Sequence, residues 1–549
     1  MRKRLTHLSA VLLGMLSFSS RAEFCLPDLL AHLNSPDTQS LTLTQAGVYT
    51  RGANAIVAHR NGVDEIAGTA DDRLFNSLED IDAVAYVGAQ TLAQLQGLFA
   101  YSFAQENIQV VFSPQPADST HLARSIEIID NAHTSIDVAI YSFSDASMVS
   151  ALARARERGV KIRLISNNAA SDRKSPSGTR SETLEMAGID VRYVNKVMHH
   201  KFTLVDYGTE DAVLISGSAN WSYSGARKYD ENTLFIRREP QTFDAFNEEF
   251  ALLWHHSRDF VCESCGIVSE VDPRYQKSQR DYQQVAFTSD NFYTRTTRYG
   301  ETFTYIKGKE VVAQRLVDAI AGAGDSIDIA SGHLRSWPVA KALLDKQAEG
   351  GVSIRVYLDG QEFISETTHN IQQQEVEACL QASDDEEDKE DCYRSGNYFS
   401  YALHLAGIEV KFKAYSYRWH YSYAPQMHHK YLLIDNTTLT TGSYNLSDNA
   451  ETNSMENMLF YTSQDYPALV SSFSRNFTQL WNTAEPEVYQ SLMQEINAPQ
   501  ASEVPIVFPA MALDWDDLNA LKQAIRDVCP AINSDEYRRY PERHYTCDK

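Results

Sequence analysis

One passage is written twice in this chain. VMHHKFTLVD occupies residues 197–206 and QMHHKYLLID residues 426–435, with two histidines and a lysine at the same offsets. A chance echo would keep the apolar letters and lose the polar ones, but here both recur. Around it TSIDVAIYSF (134–143) answers DSIDIASGHL (325–334), and RGVKIRLI (158–165) answers GGVSIRVY (350–357). AGIDVRY (187–193) answers AGIEVKF (406–412), and QVVFSP (109–114) answers QVAFTS (284–289), in the same order. The β-branched runs SIDVAIY and VKIRLI read as buried strands, and ASMVSALARARERG between them as a helix closing on glycine. Strand–helix–strand units build a sheet with helices on its faces. The expected fold is therefore α/β: two fused domains, each a mixed sheet flanked by helices, related by a pseudo-two-fold axis.

Polar residues recur in register as well. Read as a strand, MHHKFTLVD projects His199 and Lys201 to one face and His200 to the other. The same parity pairs His428 with Lys430 and excludes His429. Downstream come GSANWS (217–222) and GSYNLS (442–447), then Glu231 and Glu456, each eleven residues after its asparagine, in DENTLF and MENMLF.

HxK, four residues and an aspartate, followed by GSxN, is similar to the double signature of the phospholipase D superfamily. His199, Lys201, Asp206, Gly217, Ser218 and Asn220 match the first copy, and His428, Lys430, Asp435, Gly442, Ser443 and Asn445 the second. One departure is visible: ten residues separate Asp206 from Gly217, against six between Asp435 and Gly442, which reads as a lengthened hairpin. The resemblance spans residues 108–485. It implies a bacterial-type secreted phosphodiesterase in which one histidine attacks phosphorus and the other protonates the leaving oxygen. Lys201, Lys430, Asn220, Asn445, Ser218 and Ser443 would bind the non-bridging oxygens, so that no metal and no cofactor is implied. Glu231 and Glu456 would each bond the far ring nitrogen of its histidine. Asp206 and Asp435 complete the motifs in a structural role. The reading that follows is a phospholipase D giving phosphatidic acid, or a new phospholipid with an alcohol, through a phosphohistidine on His199 with His428 as acid. The alternative is a metal-independent nuclease of the same superfamily.

The remaining chain refines this expectation. MRKRLTHLSAVLLGMLSFSSRA has the basic start, short apolar run and small-x-small ending of a signal peptide cleaved after Ala22, which places the mature protein outside the cytoplasm. The domains then run 23–107 (a small helical region), 108–265, 266–485 and a C-terminal extension, 486–549. SLEDIDAVAYVGAQTLAQLQGLFA (77–100) resembles a helix-hairpin-helix with Val87 and Gly88 at the turn, and NGVDEIAGTADD before it a polar turn without EF-hand spacing. Seven cysteines in an exported chain favour disulfides: Cys379 with Cys392, Cys529 with Cys547, and Cys262 and Cys265 with each other or with Cys25. Residues 366–400, with SDDEEDKEDC, read as a solvated, disulfide-closed loop. A net charge of −24 repels polyanions at long range, although Lys161, Arg163, Arg173, Lys174 and Arg180, and later Lys411, Lys413 and Arg418, precede the two histidine pairs. Tyr415, Tyr417, Trp419, Tyr421 and Tyr423 make an aromatic approach to the second pair, suited to packing or to a groove for acyl chains or bases. The partners expected are a lipid surface or, under the alternative, nucleic acid. No protein partner is implied, and the chain is expected to act as a monomer.

Overall fold

Each copy of the repeat folds into an eight-stranded sheet. A computed structural model describes residues 26–98, 107–260, 282–497 and 507–539, apart from 37, 46, 65, 70, 76, 395–396, 484–485 and 530–533. In spatial order the first sheet runs Ile108–Ser113, Glu231–Ile236, Val213–Gly217, Lys201–Val205, Ser135–Ile140, Lys161–Ser166, Asp190–Tyr193 and Arg258–Asp259. The second runs Val285–Phe287, Asn457–Thr462, Thr438–Gly442, Lys430–Ile434, Ser326–Ser331, Ser353–Asp359, Glu409–Ser416 and Val507–Asp514. Ser135–Ile140, Lys161–Ser166 and Asp190–Tyr193 are mutually parallel, as are their counterparts, and the other neighbours are antiparallel. The mixed sheets follow the repeat strand for strand. The eighth strand of the second sheet comes from the C-terminal extension, so that domain does not close at residue 485.

Repeated polar residues lock the parallel strands. Arg163 forks onto Asp137 with two bonds of 2.7 Å, and Arg355 onto Asp328 in the same way. Each guanidinium also lies over two aromatic rings, Phe250 and Trp254 or Phe477 and Trp481. Those rings belong to helices Pro240–His255 and Pro467–Trp481, which both start on a proline, a residue that suits a first turn. Each helix packs on its own hairpin and on the first strand of the other copy. One apolar cluster therefore draws Phe202, Phe246 and Phe250 from one half and Phe287, Tyr431 and Phe473 from the other. Burying such a side chain contributes about 1.5–3 kcal/mol, so the shared cluster joins the halves into one compact unit, Asn107–Lys549.

One further expectation holds and two change. The hairpin after Asp206 is lengthened with its strands intact, Lys201–Val205 against Val213–Gly217. Residues 366–400 are not a loop: helices Glu366–Ala382 and Glu386–Arg394 form a hairpin closed by Cys379–Cys392, because Ser365 caps the first helix and the bridge ties it to the second. Of the basic residues that precede the histidine pairs, Arg163 is spent on Asp137, Lys411 on the Trp481 carbonyl and buried Lys413 on Asp230. Of the aromatic approach, Tyr415 and Tyr417 are buried while Trp419 and Tyr421 are exposed. Cys529 is disulfide-bonded, and Cys25, Cys262, Cys265, Cys547 and the segment 1–22, expected as a signal peptide, lie outside the described residues.

Among the described residues, the unit Met1–Glu106 is helical over 26–98. Buried Arg60 ties it together by donating to the carbonyls of Leu33, Ser35 and Thr38. Helices Leu78–Asp82 and Ala89–Leu98 flank the turn that holds Val87 and Gly88. In the preceding turn Asp71 accepts the Val63 and Asp64 amides, so its carboxylate organises the loop itself.

Candidate active site

The strand read through MHHKFTLVD begins only at Lys201. Just upstream, Val197–Met198 leaves its own sheet and pairs in parallel with Ser454–Met455 of the other copy. The His199 amide then donates to the Met455 carbonyl at 3.1 Å. The second copy repeats the exchange: Met427 bridges Asp230, and the His428 amide donates to the Asp230 carbonyl at 3.0 Å. Glu456 follows Met455 and Glu231 follows Asp230, so each histidine is delivered to the glutamate of the opposite copy. His428 Nδ1 is hydrogen-bonded to Glu231 Oε1 at 2.7 Å. His199 Nδ1 lies 2.7 Å from Glu456 Oε1 without hydrogen-bond alignment.

The parity argument survives the shortened strand. His200 turns away, buried between Phe202 and Phe287, with Nε2 on Glu249 at 3.0 Å and Nδ1 on the Asn457 amide at 3.0 Å. His429 is likewise buried, with Nδ1 on the Asn232 amide at 3.1 Å. Asn232 and Asn457 directly follow the two glutamates. The inner histidines therefore staple the copies together, and the outer pair carries the site.

Burial sets the site's electrostatics. Both imidazoles are pushed well below the usual histidine range by desolvation, reinforced by the charges of Lys201 and Lys430. Desolvation also raises the glutamates, Glu231 to about 8 and Glu456 to about 7. The resting pairs thus avoid full charge separation: an imidazole that donates Nδ1–H to its glutamate keeps a lone pair on Nε2, and one that accepts from a protonated glutamate carries its proton on Nε2. Lys201 and Lys430, buried beside them, are lowered to about 7 and about 8 by desolvation. Each donates to the carbonyl of its own histidine, at 2.6 and 2.7 Å, which leaves two ammonium protons per lysine for a bound anion.

The GSxN residues divide. Ser218 and Ser443, expected on the phosphate, are fully buried behind the glutamates: Ser443 donates to Glu456 Oε2 at 2.7 Å, and Ser218 accepts the Asn232 amide at 2.9 Å. Close backbone approach puts them there, because a Cβ at Gly217 or Gly442 would lie 2.3 Å from the Asn232 or Asn457 carbonyl oxygen. Asn220 and Asn445 are half-buried; the Asn220 carboxamide is oriented by the Ser142 amide, which donates to its Oδ1 at 3.2 Å. Asp206 and Asp435 stand at the far ends of their strands. Asp206 collects the amides of His133, Thr134 and Ser135, and Asp435 those of Gly324, Asp325 and Ser326. Burial opposes their charge, but these amides outweigh it and hold both carboxyls below the usual range.

The family described as "Cardiolipin synthase, PLD-like domain" matches residues 125–254 and 316–481, more than half of the chain. The chain belongs to this phospholipase D-like family. Among curated proteins it is 36% identical over 141 residues to a protein named mitochondrial cardiolipin hydrolase from Danio rerio, covering 25% of this chain and 59% of that protein. The Xenopus tropicalis protein of the same name is 32% identical over 156 residues, covering 27% and 70%. The match thus spans under two thirds of the zebrafish relative's own length. Among solved structures, the phospholipase D family member Nuc of Salmonella typhimurium is 29% identical over 28% of this chain and 96% of that one, with a TM-score of 0.23. Phosphatidylserine synthase of Haemophilus influenzae is 13% identical over 68% and 86%, with a TM-score of 0.45.

In this phospholipase D-like chain the assembled groups are two imidazoles, two ammonium groups and two carboxamides, a donor set for an anion. Among the described residues one acidic trio could hold a metal, Glu185, Asp190 and Asp259, on the last two strands of the first sheet and the helix before them. Sequence reasoning missed several supporting residues. Asn167 and Asp359 are equivalent positions whose side chains take the amides of Met198 and Met427 and so fix the approach to each histidine. Asn232 and Asn457 were visible in the EN pair that DENTLF and MENMLF share. His333, with Glu362 and Arg335, gave no signal, because the repeat breaks where they stand.

Proposed function

We propose that this chain is a metal-independent phosphodiesterase that acts on glycerophospholipid head groups through a phosphohistidine. One observation carries the reading: two HxK histidines, each backed at Nδ1 by a buried glutamate of the opposite copy, keep both Nε2 atoms without partners among the described residues. One Nε2 attacks phosphorus and expels the alcohol, and the other supplies the leaving oxygen's proton and then removes one from the incoming water. Lys201, Lys430, Asn220 and Asn445 meet the non-bridging oxygens, whose charge grows in the transition state. The Cys379–Cys392 bridge suits the oxidising compartment to which the leader-like N-terminus would send the chain. The names of the cardiolipin hydrolase relatives and exposed Trp419 and Tyr421 support a lipid substrate.

The test offers the purified chain phosphatidylcholine vesicles, cardiolipin vesicles and single- and double-stranded DNA, side by side in EDTA. Lipid turnover unaffected by chelation, with phosphatidylethanol formed when ethanol is added, is the expected result. DNA cleavage without lipid turnover would favour the nuclease reading, to which the helix pair Leu78–Asp82 and Ala89–Leu98 lends support. Activity lost in EDTA and restored by a divalent cation would contradict both.

A further inference from the structure

The two halves of the cleft are not equivalent, and the difference centres on a third histidine. The strand Ser326–Ser331 runs antiparallel to Lys430–Ile434 with Ser331 opposite Lys430. Two residues further, the chain places His333 opposite His428, and the Gly332 amide donates to the His429 carbonyl at 3.1 Å on the way. A Cβ at Gly332 would come within 3.8 Å of the His428 ring. On its other side, Leu334 pairs in parallel with Leu446, which sets His333 beside Asn445. His333 therefore stands between the second catalytic histidine and the second GSxN asparagine. In the first copy the equivalent position is Ser142.

Support for this histidine is built in the second copy alone. His333 Nδ1 lies 3.0 Å from Oε1 of Glu362, a side chain 1% exposed. Glu362 also receives Arg335 through Nε at 3.0 Å and Nη2 at 2.7 Å, and the Leu334 amide at 3.1 Å. In the repeat, Ala170 stands in place of Glu362 and Ser144 in place of Arg335. Glu362, already matched by Arg335, accepts at Nδ1 and so fixes the ring as the Nδ1–H tautomer. That tautomer presents Nε2 as an acceptor. The side chain is 25% exposed, and Nε2 has no partner among the described residues. The change also alters Asn445: the Ser142 amide holds Asn220 Oδ1, whereas the His333 amide bonds Ser331 Oγ and the buried Asn445 Oδ1 has no partner among the described residues.

We propose that His333 binds the second nucleophile, holding the water or alcohol that resolves the phosphohistidine through a hydrogen bond from its O–H to His333 Nε2. The inference rests on the phosphohistidine reading above. In the step it serves, the oxygen attacks phosphorus, the P–O bond forms as the P–N bond to His199 breaks, and His428 Nε2, neutral after protonating the leaving group, takes one proton. With water, the second hydrogen bonds His333 and stays on the phosphate product; with an alcohol, the single O–H turns from His333 to His428 as attack proceeds. An acceptor on one side of the cleft alone makes the cleft directional: the nucleophile enters beside His428, and His199 is the residue that carries phosphorus.

The two chemical steps can be timed separately in the full chain with phosphatidyl-p-nitrophenol, whose leaving group needs no proton. The nitrophenol burst reports formation of the phosphoenzyme, and the steady state reports its breakdown. His333→Ser, which installs the first copy's residue, should leave burst rate and amplitude within about twofold while slowing breakdown by up to ~10²-fold, the cost of a misplaced reactant. It should also alter the ratio of phosphatidic acid to phosphatidylethanol in fixed ethanol. His333→Gln, which restores an acceptor oxygen, should recover part of the rate. Equal slowing of burst and steady state, or no change in either with an unaltered product ratio, would overturn the inference while the phosphohistidine reading stands. A wild-type chain that turns over without a burst and without phosphate on any histidine would overturn both.

Discussion

A buried imidazole that attacks phosphorus needs a bare Nε2, and one that acts as the acid needs a proton there, so the outer histidines should respond differently to substitution. His199→Ala removes the attacking nitrogen and should abolish phosphoenzyme formation. His428→Ala removes the proton donor, a loss of ~10²- to 10⁴-fold on a choline leaving group, and much of that rate should return with p-nitrophenol as leaving group. His200→Ala and His429→Ala should instead lower the urea midpoint, because each strips a hydrogen bond from the seam between copies, and should cost far less in kcat. The lowered groups also set a pH profile for the nitrophenyl ester. Desolvation keeps the His199 imidazole neutral well below pH 6.5, so kcat/KM should stay level as pH falls through that value. Lys201 and Lys430, lowered to about 7 and about 8, lose their charge as pH rises past those values, so kcat/KM should decline there. A decline on the acid side centred at or above pH 6.5 would contradict the burial argument.

Among the elements, the hairpins that carry the motifs owe their shape to residues outside the chemistry. Asp206→Ala leaves the amides of His133, Thr134 and Ser135 without their acceptor. At about 1–3 kcal/mol for each amide left unpaired, the loss should show in urea denaturation, while the folded fraction keeps its kcat. Gly217→Ala forces a methyl against the Asn232 carbonyl and shifts the strand that carries Glu231, so stability and turnover should fall together. These elements were legible in the sequence because both copies must satisfy the same local physics: the Asp137–Arg163 fork recurs as Asp328–Arg355, and Asp206 recurs as Asp435. The helical hairpin 366–394 was read as a loop because its acidic composition masked the cap at Ser365. The strand Val507–Asp514 escaped because its counterpart, Arg258–Asp259, is too short to leave a pattern.

Across the whole molecule, the repeat announced two equivalent halves and hid how they are joined. A sequence records that Glu231 and Glu456 recur; it does not record which copy's histidine each will meet. The crossing comes from backbone exchange, Val197–Met198 with Ser454–Met455 and Met427 with Asp230. His333 was hidden for the opposite reason, since it stands where the copies differ. If the site is crossed, Glu456→Gln should slow phosphoenzyme formation at His199, and Glu231→Gln should act on the steps served by His428. The central claim is a composite site in which His199, backed by the opposite copy, takes phosphorus. Peptide mapping of the His428→Ala chain, loaded with phosphatidyl-p-nitrophenol and quenched in alkali, tests it most directly. The expected result is phosphate on the peptide containing His199, formed more slowly when Glu456→Gln is added; phosphate that forms there at the same rate with Glu456 replaced, or that is found on a peptide without His199, would contradict the account.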